Sequence, residues 1–330
     1  MEWLVARMAE RGFRASVDDA GNAVGEIGDG PTHVVLLGHI DTVGGEIAVR
    51  IEHGELVGRG AVDAKGPLAA FVAAATTPVA GVRVTVVGAV EEESPSSAGA
   101  RHRGTHPAPD WCVIGEPSGW DAVTVGYKGR LALRVAFSRP ARHGAAPGMT
   151  CSEEALAVWS RARTAAERRT AEAEGFAKLD FRLEAMNGGS SDGLVERAEL
   201  RVGYRIPPGI TTTELEAELR AIAAAHEGDA VIAIERIGAE EPARTPRTTP
   251  LARAFVGAIA DMGGKATFKL KSGTSDMNIL APVWSCPMVA YGPGDSRYDH
   301  TPMERLALAD YTRSIRVLES VLARARKPII

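Results

Sequence analysis

The sequence predicts an α/β fold with a mostly parallel central sheet, interrupted by a smaller α+β module. Apolar runs end abruptly in polar or acidic residues at three places, THVVLLGHIDT (32–42), VRVTVVGAVEEE (82–93) and WCVIGEPSG (111–119). Such runs are the pattern of strands buried on both faces, and helical stretches between them supply the crossovers of a parallel sheet. The second observation is a change of texture near residue 119. GYKGRLALRVAF and LRVGYRIP alternate like strands with one exposed face, while SEEALAVWSRARTAAERRTAEAE and TTTELEAELRAIAAAHEG carry the spacing of amphipathic helices. After about residue 236 helical patterns return, with a short apolar strand around PMVAYGPG. The economical division is one domain made of residues 1–118 and 236–330, with residues 119–235 inserted as a second.

In chain order, residues 1–30 open on an amphipathic helix, followed by a polar, Gly-punctuated stretch suited to short strands. GRGAVDAKGPLAAFVAAAT is a glycine-rich loop running into an Ala-rich helix, and the closing part of the chain places helices over roughly 249–262 and 304–325. A net charge of −4 argues against a nucleic-acid binder, which needs a basic surplus to neutralise phosphates. No apolar run approaches the ~20 residues of a membrane span. MEWLVARMAERGF has charges throughout its apolar stretch, unlike a signal peptide. Cys112, Cys151 and Cys286 are odd in number and form no CxxC pair, so reduced thiols in a cytoplasmic protein are expected.

In parallel sheets, sites form at the carboxyl ends of the strands. His39 and Asp41 close the first run as GHIDT; two residues apart on a strand, they share a face, so one can ligate a metal while the other orients it. Asp63 lies in GRGAVDAKG, which lacks the GK[ST] ending of a phosphate loop. Glu91, Glu92 and Glu93 end the second run and Glu116 the third, while His300 stands in YDHTPME before the final helix. A strand-end histidine is often structural and an acid run is often a solvated turn. Together, however, the donors are imidazoles and carboxylates without a thiolate, which suits Zn²⁺ or Co²⁺ in a hydrolytic site. Five ligands exceed one tetrahedral ion that keeps a water; sharing one carboxylate, they suit two ions. Ser272 and Ser275 sit in SGTSD, not in a GxSxG elbow, which disfavours a serine hydrolase.

GHIDTV, GRGAVDAKGPLAA, the acid run EEE, IGEPSG, SGTSDMN and DHTPME resemble, in the same order and over nearly the whole chain, the co-catalytic zinc amidohydrolases. That family includes acetylornithine deacetylase, succinyl-diaminopimelate desuccinylase, the aminoacylases and glutamate carboxypeptidase. The resemblance implies a zinc-peptidase-like catalytic domain holding two divalent ions, Zn²⁺ or else Co²⁺. Its ligands would be His39, Asp63 as the bridge, Glu93, Glu116 and His300, with Asp41 orienting His39 and Glu92 as general base. A shift of one residue, with Glu91 as base and Glu92 as ligand, is the alternative. The inserted module resembles a lid or dimerisation domain, in which His143 would reach across a homodimer to the substrate carbonyl. Arg205 and Thr274 match positions that bind the substrate carboxylate, and Asn187 matches a loop at the lid boundary. Relatives usually begin with a further helix, so a truncated or late-assigned start is expected.

Within the family the wording GHIDTVGGEIAVRIEHGELVGRGAVDAKGPLAAF is most similar to the subgroup that releases lysine, and sometimes ornithine, from a small acidic amino-group carrier protein, LysW. The implied partner is therefore that carrier bearing lysine or ornithine. Arg130, Arg134, Arg139 and Arg142 would offer it a basic patch, although a solvated strand face accounts for them equally well. Acetylornithine or succinyl-diaminopimelate hydrolysis is the alternative within the class. A relative that binds metal or peptide without catalysis is the alternative outside it.

Overall fold

In the computed structural model, which describes residues 1–189 and 193–325, the three apolar runs become the strands Thr32–His39, Val82–Ala89 and Trp111–Gly115. They lie side by side and parallel, with Thr32–His39 between the other two, and Met288–Ala290 extends the parallel block beyond Trp111–Gly115. The sheet is parallel at this centre only. Ala23–Ile27 and Arg14–Val17 join one side antiparallel, and Met288–Ala290 pairs antiparallel with Ala122–Tyr127 on the other. The expected mostly parallel sheet is thus a mixed one. Short strands joined by turns can only return antiparallel, because a parallel return needs a crossover.

Helix Lys65–Ala75 is apolar almost all round and is buried accordingly, between the sheet and helix Leu308–Arg324. Helix Pro250–Asp261 starts on a Thr249 side-chain cap with proline at its first position, and packs on the same terminal helix. Phe71, Phe255, Tyr291 and the valines of the central strands fill this core, with the Phe255 and Tyr291 rings 4.6 Å apart. Each such side chain contributes roughly 1.5–3 kcal/mol by leaving water. Gly38 and Gly115 are register partners, and a Cβ on Gly115 would lie 2.9 Å from Gly38 Cα. Two glycines let the strand ends approach closely and bring His39 beside Glu116.

The chain divides into two compact units, Met1–Gly126 with Arg244–Leu270 and Ser275–Ile330, and Tyr127–Ala243 with Lys271–Thr274. The main crossings therefore fall at 126/127 and 243/244, against the expected 118/119 and 235/236, with a brief second excursion between 270/271 and 274/275. Strand Ala122–Tyr127 belongs to the first unit's sheet, while Val231–Glu240 runs its full length in the second's. The second unit is a four-stranded antiparallel sheet ordered Asp180–Gly189, Val195–Ile206, Gly129–Pro140, Val231–Glu240. Helices Cys151–Arg169 and Thr212–Ala224 each begin with a capping box, Thr150 with Glu153 and Thr211 with Glu214. They cover one face, over Leu131, Leu133, Val135 and Phe137. The last helix starts at Leu308, later than expected, because Arg305–Ala307 is drawn into a strand against Glu55–Val57.

Candidate two-metal centre

His39 is the last residue of its strand and is 1% exposed. Its Nδ1–H donates to the main-chain oxygen of Asp41 at 3.1 Å, which turns Nε2 toward Asp63 Oδ1, also at 3.1 Å. Glu116 Oε1 lies 4.0 Å from the same Nε2. The other oxygen of Asp63 faces His300, whose Nε2 is 3.0 Å from Asp63 Oδ2 and 3.1 Å from Glu93 Oε1. One carboxylate thus stands between two groups, His39–Asp63–Glu116 and Asp63–Glu93–His300, and within each the donor atoms lie within 4.8 Å of one another. A third such group is His39–Glu92–Glu93. The donors are all nitrogen and oxygen, and the acids outnumber the imidazoles, so the set fits hard or borderline divalent cations.

Asp41 does more than orient an imidazole. Its two carboxylate oxygens accept the main-chain N–H groups of Glu92 and Glu93, at 3.3 and 3.1 Å. A single side chain therefore ties the His39 strand end to the acid run. Glu91 is different. It holds a left-handed backbone (φ 60°), is exposed, and accepts from Ser96 Oγ at 2.5 Å. It belongs to none of the three groups.

The charges reflect this crowding. Burial would lower the His39 pKa, but hydrogen bonds to Asp41 and Asp63 and the charges of Glu92 and Glu116 raise it well above the ordinary value. His300 is raised to about 10 by its hydrogen bonds to Asp63 and Glu93. Burial works the other way on Asp63, yet His300 and His39 hold its carboxyl well below the usual range. Glu92 is pushed well up by burial and by Glu116, Asp276 and Asp63, against the pull of His39. The acids thus favour positive charge on the two imidazoles, and a bound cation would supply such charge directly.

Two residues that motif reasoning passed over support this arrangement. Glu304, fully buried, accepts the main-chain N–H groups of Val62 and Asp63 at 2.9 and 3.1 Å and the Arg59 guanidinium at 2.9 Å. It fixes the backbone that presents Asp63, and Arg59 in turn donates to the Thr301 carbonyl beside His300. Its position four residues after His300 in YDHTPME was the available signal. Asp276, first residue of the short helix Asp276–Leu280, is 2% exposed and raised to about 7 by burial, with Asp41 adding to the rise.

The remaining expected site residues belong to the second unit. His143 is exposed in the loop before helix Cys151–Arg169, where its Nδ1 accepts the Ala145 N–H at 3.2 Å. Asn187 is exposed on Asp180–Gly189, opposite Glu199. Arg205 is half-buried near the end of Val195–Ile206, with Nη1 unpaired, and Thr274 precedes the Ser275 cap. The expected basic patch does not form as a unit. Arg139 is buried against Glu154 and Glu196, Arg134 pairs with Glu199 and Glu235, and Arg142 pairs with Asp229. Acids on neighbouring strands and loops neutralise three of its four arginines.

Known proteins share both the sequence and the fold. A model of peptidase family M20/M25/M40 matches residues 35–324. LysW-lysine hydrolase of Deinococcus radiodurans is 45% identical over 326 residues, covering 96% of this chain and 89% of that protein. LysW-lysine/LysW-ornithine hydrolase of Sulfurisphaera tokodaii is 29% identical, covering 84% of this chain and 77% of that one. Among solved structures, an M20 metallo-carboxypeptidase from Sulfolobus solfataricus superposes with a TM-score of 0.77 at 17% identity, covering 98% of this chain and 93% of its own.

Proposed function

The chain belongs to peptidase family M20/M25/M40 and is an amide hydrolase, and on that premise we propose that it releases L-lysine, and also L-ornithine, from the carrier protein LysW. The amide cleaved would join the side chain of the carrier's C-terminal glutamate to the α-amine of the amino acid. The extended match to the Deinococcus radiodurans hydrolase supports the substrate. The single observation that carries the chemistry is Asp63 standing between His39 with Glu116 and Glu93 with His300. Family membership brings dependence on two metal ions, and we assign them as Zn²⁺, with Co²⁺ as a substitute.

His39, Asp63 and Glu116 would hold one ion, and Asp63, Glu93 and His300 the other. When bound, the pair supplies Lewis acidity toward the amide carbonyl and toward water. Glu92 takes the proton from the attacking water and delivers it to the leaving amine; burial and neighbouring acids push its carboxyl in the direction a proton carrier needs. Asp41 keeps His39 turned toward Asp63 and keeps the main chain of Glu92 and Glu93 in place. In the second unit, His143 is assigned to the developing oxyanion, reaching it across a homodimer, and Arg205, Thr274 and Asn187 to the substrate. No described helix is long and apolar enough to cross a membrane.

The test is a substrate panel with metal-loaded enzyme: carrier-linked lysine, carrier-linked ornithine, acetylornithine and succinyl-diaminopimelate. Turnover of the carrier-linked amides is expected. Turnover of only the free acyl amino acids would remove the carrier from the assignment.

A further inference from the structure

The sheet face of the second unit that the two helices leave open carries two cross-strand arginine pairs in contrasting surroundings. Arg134 and Arg201 are register partners, and acids surround them: Glu199 and Glu235 lie 2.7 and 3.2 Å from Arg134, and Glu184 lies 3.7 Å from Arg201. Arg130 and Arg205 are register partners two steps further along the same strands. Here two of the acids are diverted. Asp180, the cross-strand neighbour of Arg205, gives its carboxylate to Lys128 at 2.8 Å, and Glu184 is drawn to Arg201. Arg182, opposite Gly203, adds a third guanidinium to this end of the face, while Glu240 faces Arg130 from the next strand.

Like charges directly opposite each other on a sheet are destabilising. Among the described residues neither Arg130 nor Arg182 lies within 4.0 Å of a carboxylate oxygen, and Arg205 Nη1 is buried with no hydrogen-bond partner. A buried guanidinium donor left unmade is costly, and Arg205 Nη1, with Arg130 as its register partner and no carboxylate on either, marks a place shaped for an anion. We propose that Arg130 and Arg205 form one subsite for a ligand bearing two carboxylates, Arg205 taking one and Arg130 the other, with Arg182 strengthening the field. The inference rests on the proposed reaction: a γ-glutamyl amide of lysine carries one carboxylate on each side of the bond to be cut. Arg205 serves the lysine carboxylate and Arg130 the glutamyl carboxylate.

γ-L-Glutamyl-L-lysine and Nα-acetyl-L-lysine separate the two roles, because the second lacks the carboxylate on the acyl side. Arg130→Ala is expected to lower kcat/KM for γ-glutamyl-lysine by about tenfold or more, and to leave acetyl-lysine within about twofold. Arg130→Lys, which keeps the charge without the fork, should recover part of the loss, and Arg134→Ala should change neither substrate. Equal losses on both substrates, or none on either, would overturn the subsite. Glutarate binding by calorimetry gives a readout independent of turnover, and Arg130→Ala should weaken it. If wild-type enzyme cleaves acetyl-lysine alone, the carrier assignment fails while weakened glutarate binding still upholds the subsite; unchanged glutarate binding removes it.

Discussion

Each unit gathers charge of one sign at one place, acids in the first and arginines in the second. At Asp63 five carboxylates, its own included, crowd two imidazoles and raise the pKa of both. On the open face of the second unit, Arg130 and Arg205 face each other while Asp180 and Glu184 are engaged elsewhere and Glu240 alone faces Arg130 across the sheet. Imbalance of this kind is costly to fold, so its survival points to a ligand of the opposite sign. The balanced pair Arg134–Arg201, on that same face, shows that the fold neutralises arginines readily when nothing needs them.

The comparison breaks most decisively at Asp63. Asp63→Ala should cost at least about a thousandfold in kcat and reduce bound metal in both groups, read by elemental analysis beside steady-state rates. Next is the proton carrier. Glu92→Gln is expected to lower kcat by roughly 10²–10⁴ with metal content retained, whereas Glu91→Gln should leave kcat within about twofold. Loss in the second variant rather than the first would move the base to Glu91.

Smaller effects sharpen the contrast. Glu304→Gln keeps the shape but weakens acceptance from the Val62 and Asp63 N–H groups, so Co²⁺ affinity measured by its absorption spectrum should fall about 10–100-fold. The smallest effect concerns the histidine near the other end of the strand that His39 closes. His33, at the start of the strand that His39 ends, is lowered to about 4, first by burial and then by Arg83. It stays neutral when folded but protonates near 6.5 when unfolded. Stability is therefore complete above about pH 6.5 and declines as pH falls toward 4, below which this contribution is flat. His33→Gln should flatten that part of a melting-temperature profile; an unchanged profile would assign the acid sensitivity elsewhere.

Much of this is legible in the sequence alone. Buried parallel strands need long apolar runs, so His39, Glu92, Glu93 and Glu116 announce themselves by ending such runs. The resemblance puts the base at Glu92 with Glu91 as the alternative, and the left-handed residue at 91, whose side chain turns to Ser96, is a feature that sequence pattern does not reveal. Glu304 hid for another reason. It serves main-chain N–H groups, and those leave no mark on sequence pattern. The unit boundaries slipped because strand Ala122–Tyr127 pairs with distant Met288–Ala290, which local alternation does not reveal. The basic patch failed likewise, its neutralising acids lying one strand away, and the Arg130–Arg205 pair emerged only from register.

A carboxylate shared by both groups also has a consequence for stoichiometry. Neither half of the centre owns a full set of ligands, since each borrows Asp63 and its partner oxygen is set by the same planar group. Loading is then expected to be cooperative, because an ion held in one half would fix the plane of Asp63 for the other. Titration with cobalt should show a steep curve ending at two equivalents, with little of the singly loaded species in between.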